Sequence, residues 1–357
     1  MQEVLGLRIR RTLLVTLVGL ACTLAVAADS DNSEFKISVQ PGDTLPSLGK
    51  RWLDDPKRWP DVQRHNRIRN PNRLAPGSSI AIPLVLLRGE AAEIVVRTVS
   101  GRADNGDGTP VVKGAVLREG ASIKTAQDGY VTIQLIDGST LGLQSRSDLT
   151  IERARRMPGS GATDSRFQMR SGRAEILFKP SVSKASRFEI RNDFASAAVL
   201  GTSFRVASGD RGARTEVIEG SIVYAGVPPT ARPTARPTAS GDSVSVPEGY
   251  GSIVDASRKP LPPLRLLAAP GVSRVPVIQY TPTLQYRFAP VEGAVGYRAR
   301  LAADADFERV VREAVSATPE VSFRALEAGS YILKVRAIDR YGLEGGDGTA
   351  LIGILNR

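Results

Sequence analysis

YVTIQLIDGSTLGL, residues 130–143, reads as a β-hairpin. Residues 130–136 alternate, with Val131, Ile133 and Leu135 on one face, which is the period-2 signature of a half-buried strand. Asp137-Gly138 supplies the turn, because glycine accepts the positive φ that a tight hairpin demands, and 140–143 is the return strand. The pattern continues outward. Short candidate strands lie at 149–151, 167–169, 173–178, 188–190, 197–200, 203–206, 216–218 and 222–224, with turns at Asp128-Gly129, Ser171-Gly172 and Glu219-Gly220. Many short strands at this spacing predict an all-β domain of stacked hairpins over residues 111–258.

These residues resemble the periplasmic FecR domain. The resemblance is carried by Gly129, the run Leu135-Ile136-Asp137-Gly138-Ser139, Leu149, Gly172 and Phe188-Glu189-Ile190. Two further runs carry it, Val199-Leu200-Gly201-Thr202-Ser203-Phe204-Arg205-Val206 and Val217-Ile218-Glu219-Gly220-Ser221-Ile222-Val223. The block around Gly201-Thr202 is the most specific part, and the whole covers about a third of the chain. In the name-giving proteins this domain relays a signal from an outer-membrane siderophore receptor to a sigma factor. That relay uses a cytoplasmic segment and a membrane span ahead of the domain. Different segments stand there in this chain, so the resemblance implies the fold and a protein-binding role, without sigma-factor control.

Upstream, residues 35–83 read FKISVQPGDTLPSLGKRWLDDPKRWPDVQRHNRIRNPNRLAPGSSIAIP. Residues 36–39 form a β-branched strand, Gln40-Pro41-Gly42 a turn, and Asp43 and Thr44 can accept backbone N–H groups at a helix start. A short helix to Trp52 follows, weakened by Pro46 and Gly49. Asp54-Asp55-Pro56 breaks it, and Trp59-Pro60 opens a second helix through His65 and Asn66. Residues 79–82 close the unit as a second strand, giving the order strand, helix, helix, strand. Val39-Gln40-Pro41-Gly42-Asp43-Thr44-Leu45, Trp59-Pro60, Asn66, Asn70-Pro71-Asn72 and Pro76-Gly77 through Pro83 resemble the LysM module over residues 35–84. LysM modules bind N-acetylglucosamine-containing glycans such as peptidoglycan and chitin. The resemblance implies a shallow groove between Gly42, Asp43, Thr44 and Leu45 on one loop and Ile68, Asn70, Pro71, Asn72 and Leu74 on another. Backbone amides there would pair with the acetamido group, and Leu45 or Leu74 would touch its methyl.

Residues 1–28 resemble a secretory signal peptide. Arg8, Arg10 and Arg11 precede an apolar run at 12–24 and a small-residue site at 25–28. That run is shorter than the ~20 residues a span needs, so the mature chain is expected in the periplasm or exported cell envelope, with no membrane span. Cys22 is the single cysteine and would leave with this segment, and His65 is the single histidine. Cysteine nucleophiles, thiolate metal sites and histidine triads are thereby excluded. The formal charge is +11, yet aromatics are only 5% and the basic residues are spread, which argues against a nucleic-acid partner. Residues 85–110 are expected to be a linker. Within it, GRADNGDGT at 101–109 places Gly106 at the third ligand position of the calcium-loop pattern, so a solvated turn is expected instead of a metal site.

Residues 227–241 are a proline-rich run with an ARPT repeat, expected as a loop or linker. Residues 270–357 alternate again, at 284–288, 297–301, 321–323 and 331–338. Leu326, Gly329 and Tyr331 have the spacing of a tyrosine corner. This part resembles a fibronectin type III or immunoglobulin-like sandwich. The expected fold class is therefore multidomain and mainly β.

The leading functional expectation is a non-enzymatic, peptidoglycan-binding envelope protein, without cofactor. Its FecR-like and Ig-like domains would serve as scaffolds or bind an envelope protein. The alternative is a periplasmic signalling or regulatory protein acting through the FecR-like domain. A cell-wall hydrolase ranks third, since two carboxylates alone can run glycosidase chemistry but no segment resembles a hydrolase fold.

Overall fold

The computed structural model describes residues 34–159, 161–179, 186–199, 201–227, 242–272, 277–280 and 282–355. The signal-peptide segment with Cys22, and residues 228–241 of the proline-rich run, lie outside the described residues. The chain is mainly β, with a small helical module at the amino-terminal end of the described residues.

That module has the order strand, helix, helix, strand. Glu34–Ser38 pairs antiparallel with Ser79–Pro83, with Ile37 opposite Ile80. Between them run the helices Leu45–Trp52 and Trp59–His65, separated by a short 3-10 turn at Pro56–Arg58. Thr44 caps the first helix by a reciprocal capping box with Ser47: the Ser47 N–H donates to Thr44 Oγ1 at 3.1 Å, and the Thr44 N–H donates to Ser47 Oγ at 2.9 Å. Pro46 sits in the first turn, where its missing N–H costs nothing. Gly49 has a packing role. A Cβ there would crowd the Pro56 carbonyl and the Trp59 side chain, so glycine lets the two helical segments approach. Ile37, Leu45, Leu48, Val62, Ile80 and Ile82 form the core, and Met157 and Ala162 of the middle domain complete it.

Residues 85–110 are not a linker. Ile94–Ser100 pairs with Tyr130–Gln134, placing Val96 opposite Ile133. Ala103–Asn105 pairs with Ser122–Thr125. Ile94 and Val96 are among the most buried residues of the middle domain. The 101–109 loop is a turn, with Asp107 Oδ1 accepting from the Thr109 N–H at 2.9 Å.

The middle domain is two packed sheets sharing one strand. Thr163–Leu177 pairs in its first half with Asp148–Arg156 and, in parallel, with Arg187–Arg191. In its second half it pairs with Thr140–Leu143 and Ser203–Gly209. Ser171-Gly172, expected as a chain reversal, is instead a bend that carries one strand from sheet to sheet. Gly172 adopts φ 95°, and a side chain there would overlap Ser147, whose Oγ accepts the Arg173 N–H at 2.9 Å. Phe188 anchors the core against Phe167, Phe178 and Phe204, with ring centroids 5.2–5.9 Å apart.

The carboxyl-terminal part is a sandwich. One sheet runs in the order Val277–Gln279, Gly348–Ile354, Gly329–Ile338, Gly296–Ala302, Val310–Ser316, and Leu284–Arg287 pairs with Glu320–Phe323 to form the other. The tyrosine corner is present: the Tyr331 hydroxyl donates to the Glu327 carbonyl at 2.9 Å.

Candidate functional site

Two regions concentrate polar chemistry. The first is the pair of loops on the amino-terminal module. Gly42 is exposed at φ 87°, and no atom lies within 4 Å of where its Cβ would stand, so the backbone there is open to approach. The Leu45 N–H donates to the Pro71 carbonyl at 2.8 Å, which ties the two loops together and takes up that amide. Asn70 closes its own loop by accepting the Asn72 N–H at 3.0 Å. Asn70 and Asn72 are exposed, and Ile68, Pro71 and Leu74 are half-buried.

Three of the expected residues have structural work here. Asp43 is buried; its Oδ2 accepts the Gln40 N–H at 2.8 Å and its Oδ1 pairs with Arg51 at 3.3 Å. Thr44 is the helix cap. Leu45 is 1% exposed and its side chain fills the core, so the expectation that it touches a ligand methyl is corrected. Leu74 is half-buried and packs against the edge of the same core.

Asn66 acts one layer behind. Its Nδ2 donates to the carbonyls of Val62 at 2.9 Å and Ala81 at 2.7 Å, and its Oδ1 accepts the Ala81 N–H at 2.8 Å. It therefore clamps the end of the second helix to the second strand and fixes where the 68–74 loop begins. His65 faces Glu34, with Nε2 and Oε1 2.7 Å apart.

The second region was not anticipated. The outer face of the sandwich sheet lies on the middle domain, and charged side chains from both are buried between them. Arg336, 1% exposed, spans Glu175 at 2.8 Å, Asp347, and Glu344 at 3.4 Å. Arg300 joins Glu175 at 2.7 Å, and Arg298 joins Glu344 at 2.6 Å and Glu313. Arg205 donates to the Glu344 and Gly345 carbonyls at 3.2 and 3.0 Å, and Glu216 accepts the Glu344 N–H at 3.2 Å. The Asp304–Arg309 loop adds neutral bonds, with Thr98 and Thr132 both donating to the Glu308 carbonyl at 2.8 and 2.9 Å.

The electrostatics follow from that arrangement. Burial alone would raise the carboxyl pKa of Glu175 and Glu344. The surrounding guanidinium groups outweigh it, Arg336 first for Glu175 and Arg298 first for Glu344, and both are held well below the usual range. Asp347 is lowered in the same way, with Arg336 the main opposing influence to burial. Glu216 goes the other way: burial raises it, and Arg205 does not fully offset that. The Tyr130 hydroxyl beneath the interface is pushed up to about 12 by burial and by Glu313. Among the described residues no cluster of His, Cys, Asp or Glu is arranged to hold a metal ion.

With this geometry in place, the middle domain can be compared with known proteins. Residues 121–223 match the family model described as FecR protein. The matched segment contains the shared strand, Gly172 and the middle-domain half of the buried charges. No curated protein matches the chain. Among solved structures, a proposed anti-sigma factor from Parabacteroides distasonis ATCC 8503 is 17% identical, with a TM-score of 0.30; the match covers 40% of this chain and 59% of that one. This chain thus spans less than two thirds of that relative. FN3tt is 20% identical with a TM-score of 0.23, over 26% of this chain and all of that one. The fn3 domain of human collagen alpha-1(XX) chain is 22% identical with a TM-score of 0.21, over 27% of this chain and 88% of that one.

Among the described residues, no helix is long and apolar enough to cross a membrane. The interdomain charges escaped the sequence reading because arginine at alternate positions of a strand signals a solvent face. The available signal was pairing: Arg300 and Arg336 on sandwich strands answer Glu175 on a middle-domain strand.

Proposed function

We propose that this chain is a non-enzymatic regulatory protein of the cell envelope, acting through protein contacts of its FecR-matching domain. The observation that carries this reading is the match over residues 121–223. The way the middle domain is held supports reading it as a platform. The middle domain is braced on one side by the sandwich and on another by the helical module, whose core it completes. Ile218 and Val223, on consecutive strands of the matched segment that belong to different sheets, keep apolar side chains exposed. A photocrosslinking side chain at position 223, introduced in living cells, is expected to trap one discrete envelope protein, and loss of the gene is expected to change a defined set of transcripts. A crosslink pattern identical to that from the remote exposed position Val112, with unchanged transcripts, would overturn the reading.

A second function is favoured by a separate observation. The hydrogen bond from Leu45 to Pro71 holds two loops side by side, with Gly42 open, Asn70 and Asn72 exposed and Leu74 half-buried. We infer that this cleft attaches the protein to peptidoglycan by its N-acetylated amino sugars, as LysM modules do. A single cleft for a small neutral sugar offers few atoms, so a Kd of about 10 μM to 1 mM is expected. Insoluble peptidoglycan should sediment the mature protein, and deletion of residues 35–84 should abolish sedimentation. Unmoved amide resonances for residues 42–45 and 68–74 during titration with chito-oligosaccharides would defeat this part.

A further inference from the structure

The cleft carries more positive charge than its fold uses. Between Asp61 and Glu90 there is no acidic residue, and Arg64, Arg67, Arg69, Arg73 and Arg88 fall there. Two of these are engaged. Arg64 pairs with Asp61, and Arg88 donates to the carbonyls of Lys50 at 2.9 Å and Leu53 at 3.2 Å. Arg67, Arg69 and Arg73 are exposed, and among the described residues no side-chain hydrogen bond or ion pair engages them. Arg69 and Arg73 lie on the 68–74 loop itself, and Arg67 immediately precedes it.

Arg67 is also conformationally expensive. It stands just past the second helix at φ 54°, where the Arg67 N–H donates to Arg64 O at 3.2 Å and the Ile68 N–H to Gln63 O at 3.0 Å. This is the left-handed helix stop that glycine normally occupies. The stop fixes where the chain leaves the helix, so Arg67 stands at the start of the 68–74 loop with its charge unpaired among the described residues.

We propose that the cleft selects acetylated amino-sugar chains bearing carboxylates, as peptidoglycan does on its lactyl and peptide groups, over the neutral chain of the same sugar. Arg67, Arg69 and Arg73 are the specificity residues. This rests on the glycan reading above and adds the class of glycan. The neutral sugar is held by the loop backbones, and the three guanidinium groups reach the carboxylates alongside. Both the preference and its salt dependence then follow, since exposed charge pairs are screened over a Debye length.

Calorimetric titration of the mature protein separates the possibilities. The probes are soluble peptidoglycan fragments, the same fragments with carboxylates amidated, chitohexaose, and polyglutamate. Native fragments are expected to bind about tenfold tighter than amidated ones, the sum of three exposed ion pairs. The variant Arg67→Gln, Arg69→Gln, Arg73→Gln should lose that preference while still binding chitohexaose. Equal affinity for native and amidated fragments, or a preference that survives in the variant, overturns the proposal while leaving the glycan reading intact. Polyglutamate binding as tightly as native fragments also overturns it, as generic charge attraction. Failure of every sugar probe, chitohexaose included, removes the glycan reading itself.

Discussion

At the scale of single residues, a few positions decide whether the chain can take this path. Gly172 is the sharpest. Replacing it with alanine both forces an L side chain into positive φ and drives a Cβ into Ser147. Gly172→Ala is therefore expected to destabilise by roughly 2–5 kcal/mol, measured by urea unfolding of the mature protein. Asn66→Ala removes both donors and the acceptor that join the second helix to Ala81 and leaves the Ala81 N–H without a partner. A loss of about 1–3 kcal/mol is expected, together with broadened amide resonances in the 68–74 loop. The sequence made some of these roles legible and hid others. The turn at Asp137-Gly138 and the corner at Tyr331 were readable because their chemistry is local. Gly49 reads as a helix weakness, because its purpose is the approach of Pro56 and Trp59, and spatial proximity leaves no local trace. Leu45 was placed on the ligand side for a similar reason: loop position does not say which way a side chain turns once a core exists beneath it.

At the scale of elements, the strands were visible and their covers were not. Gly296–Ala302 alternates aromatic or apolar with arginine, which predicts one wet face; in the fold every residue of that strand is buried. Its second face is covered by the middle domain, where Arg300 reaches Glu175, while Arg298 pairs with Glu344 and Glu313 of the sandwich itself. Arg336 is the hub. Removing one partner of a buried ion pair strands the others, so Arg336→Met is expected to cost about 3–5 kcal/mol in urea unfolding. Arg287 pairs with Glu320 at 3.0 Å at the surface, and Arg287→Met should change stability by less than about 1 kcal/mol. Equal effects of the two substitutions would mean that the interdomain cluster contributes no more than a surface pair. The same reasoning explains why residues 85–110 read as a linker: their strands are short, and only their partners at 122–125 and 130–134 reveal them as sheet.

At the scale of the whole molecule, the described domains share a buried charge cluster and an apolar core, and acid is the lever that tests whether this couples them. Glu175, Glu344 and Asp347 have folded-state pKa values below their ordinary values of 4.5, 4.5 and 3.8. Groups lowered on folding contribute stability that is present above the unfolded pKa and is lost as pH falls toward the folded value. Glu216 is raised and works in the opposite sense, favouring the folded state in acid, but it is one group against three. The melting temperature should therefore hold nearly level from pH 8 to 6 and fall progressively below about pH 4.5. Added salt should restore little, because these pairs are buried and weakly screened. Partly exposed carboxylates such as Asp61, which burial raises and the hydrogen bonds and charges of Arg58 and Arg64 lower by more, add to any acid slope. The diagnostic quantity is accordingly the difference in slope between the natural protein and Arg336→Met, which should be flatter in acid. Both tryptophans, Trp52 and Trp59, lie in the helical module, whereas circular dichroism is dominated by the strands. Because Met157 and Ala162 of the middle domain sit in that module's core, the fluorescence and dichroism transitions should coincide. A fluorescence transition that separates from the dichroism one at neutral pH would mean that the module unfolds on its own, and an unchanged melting temperature down to pH 3 would mean that the buried carboxylates are not held by the arginines around them.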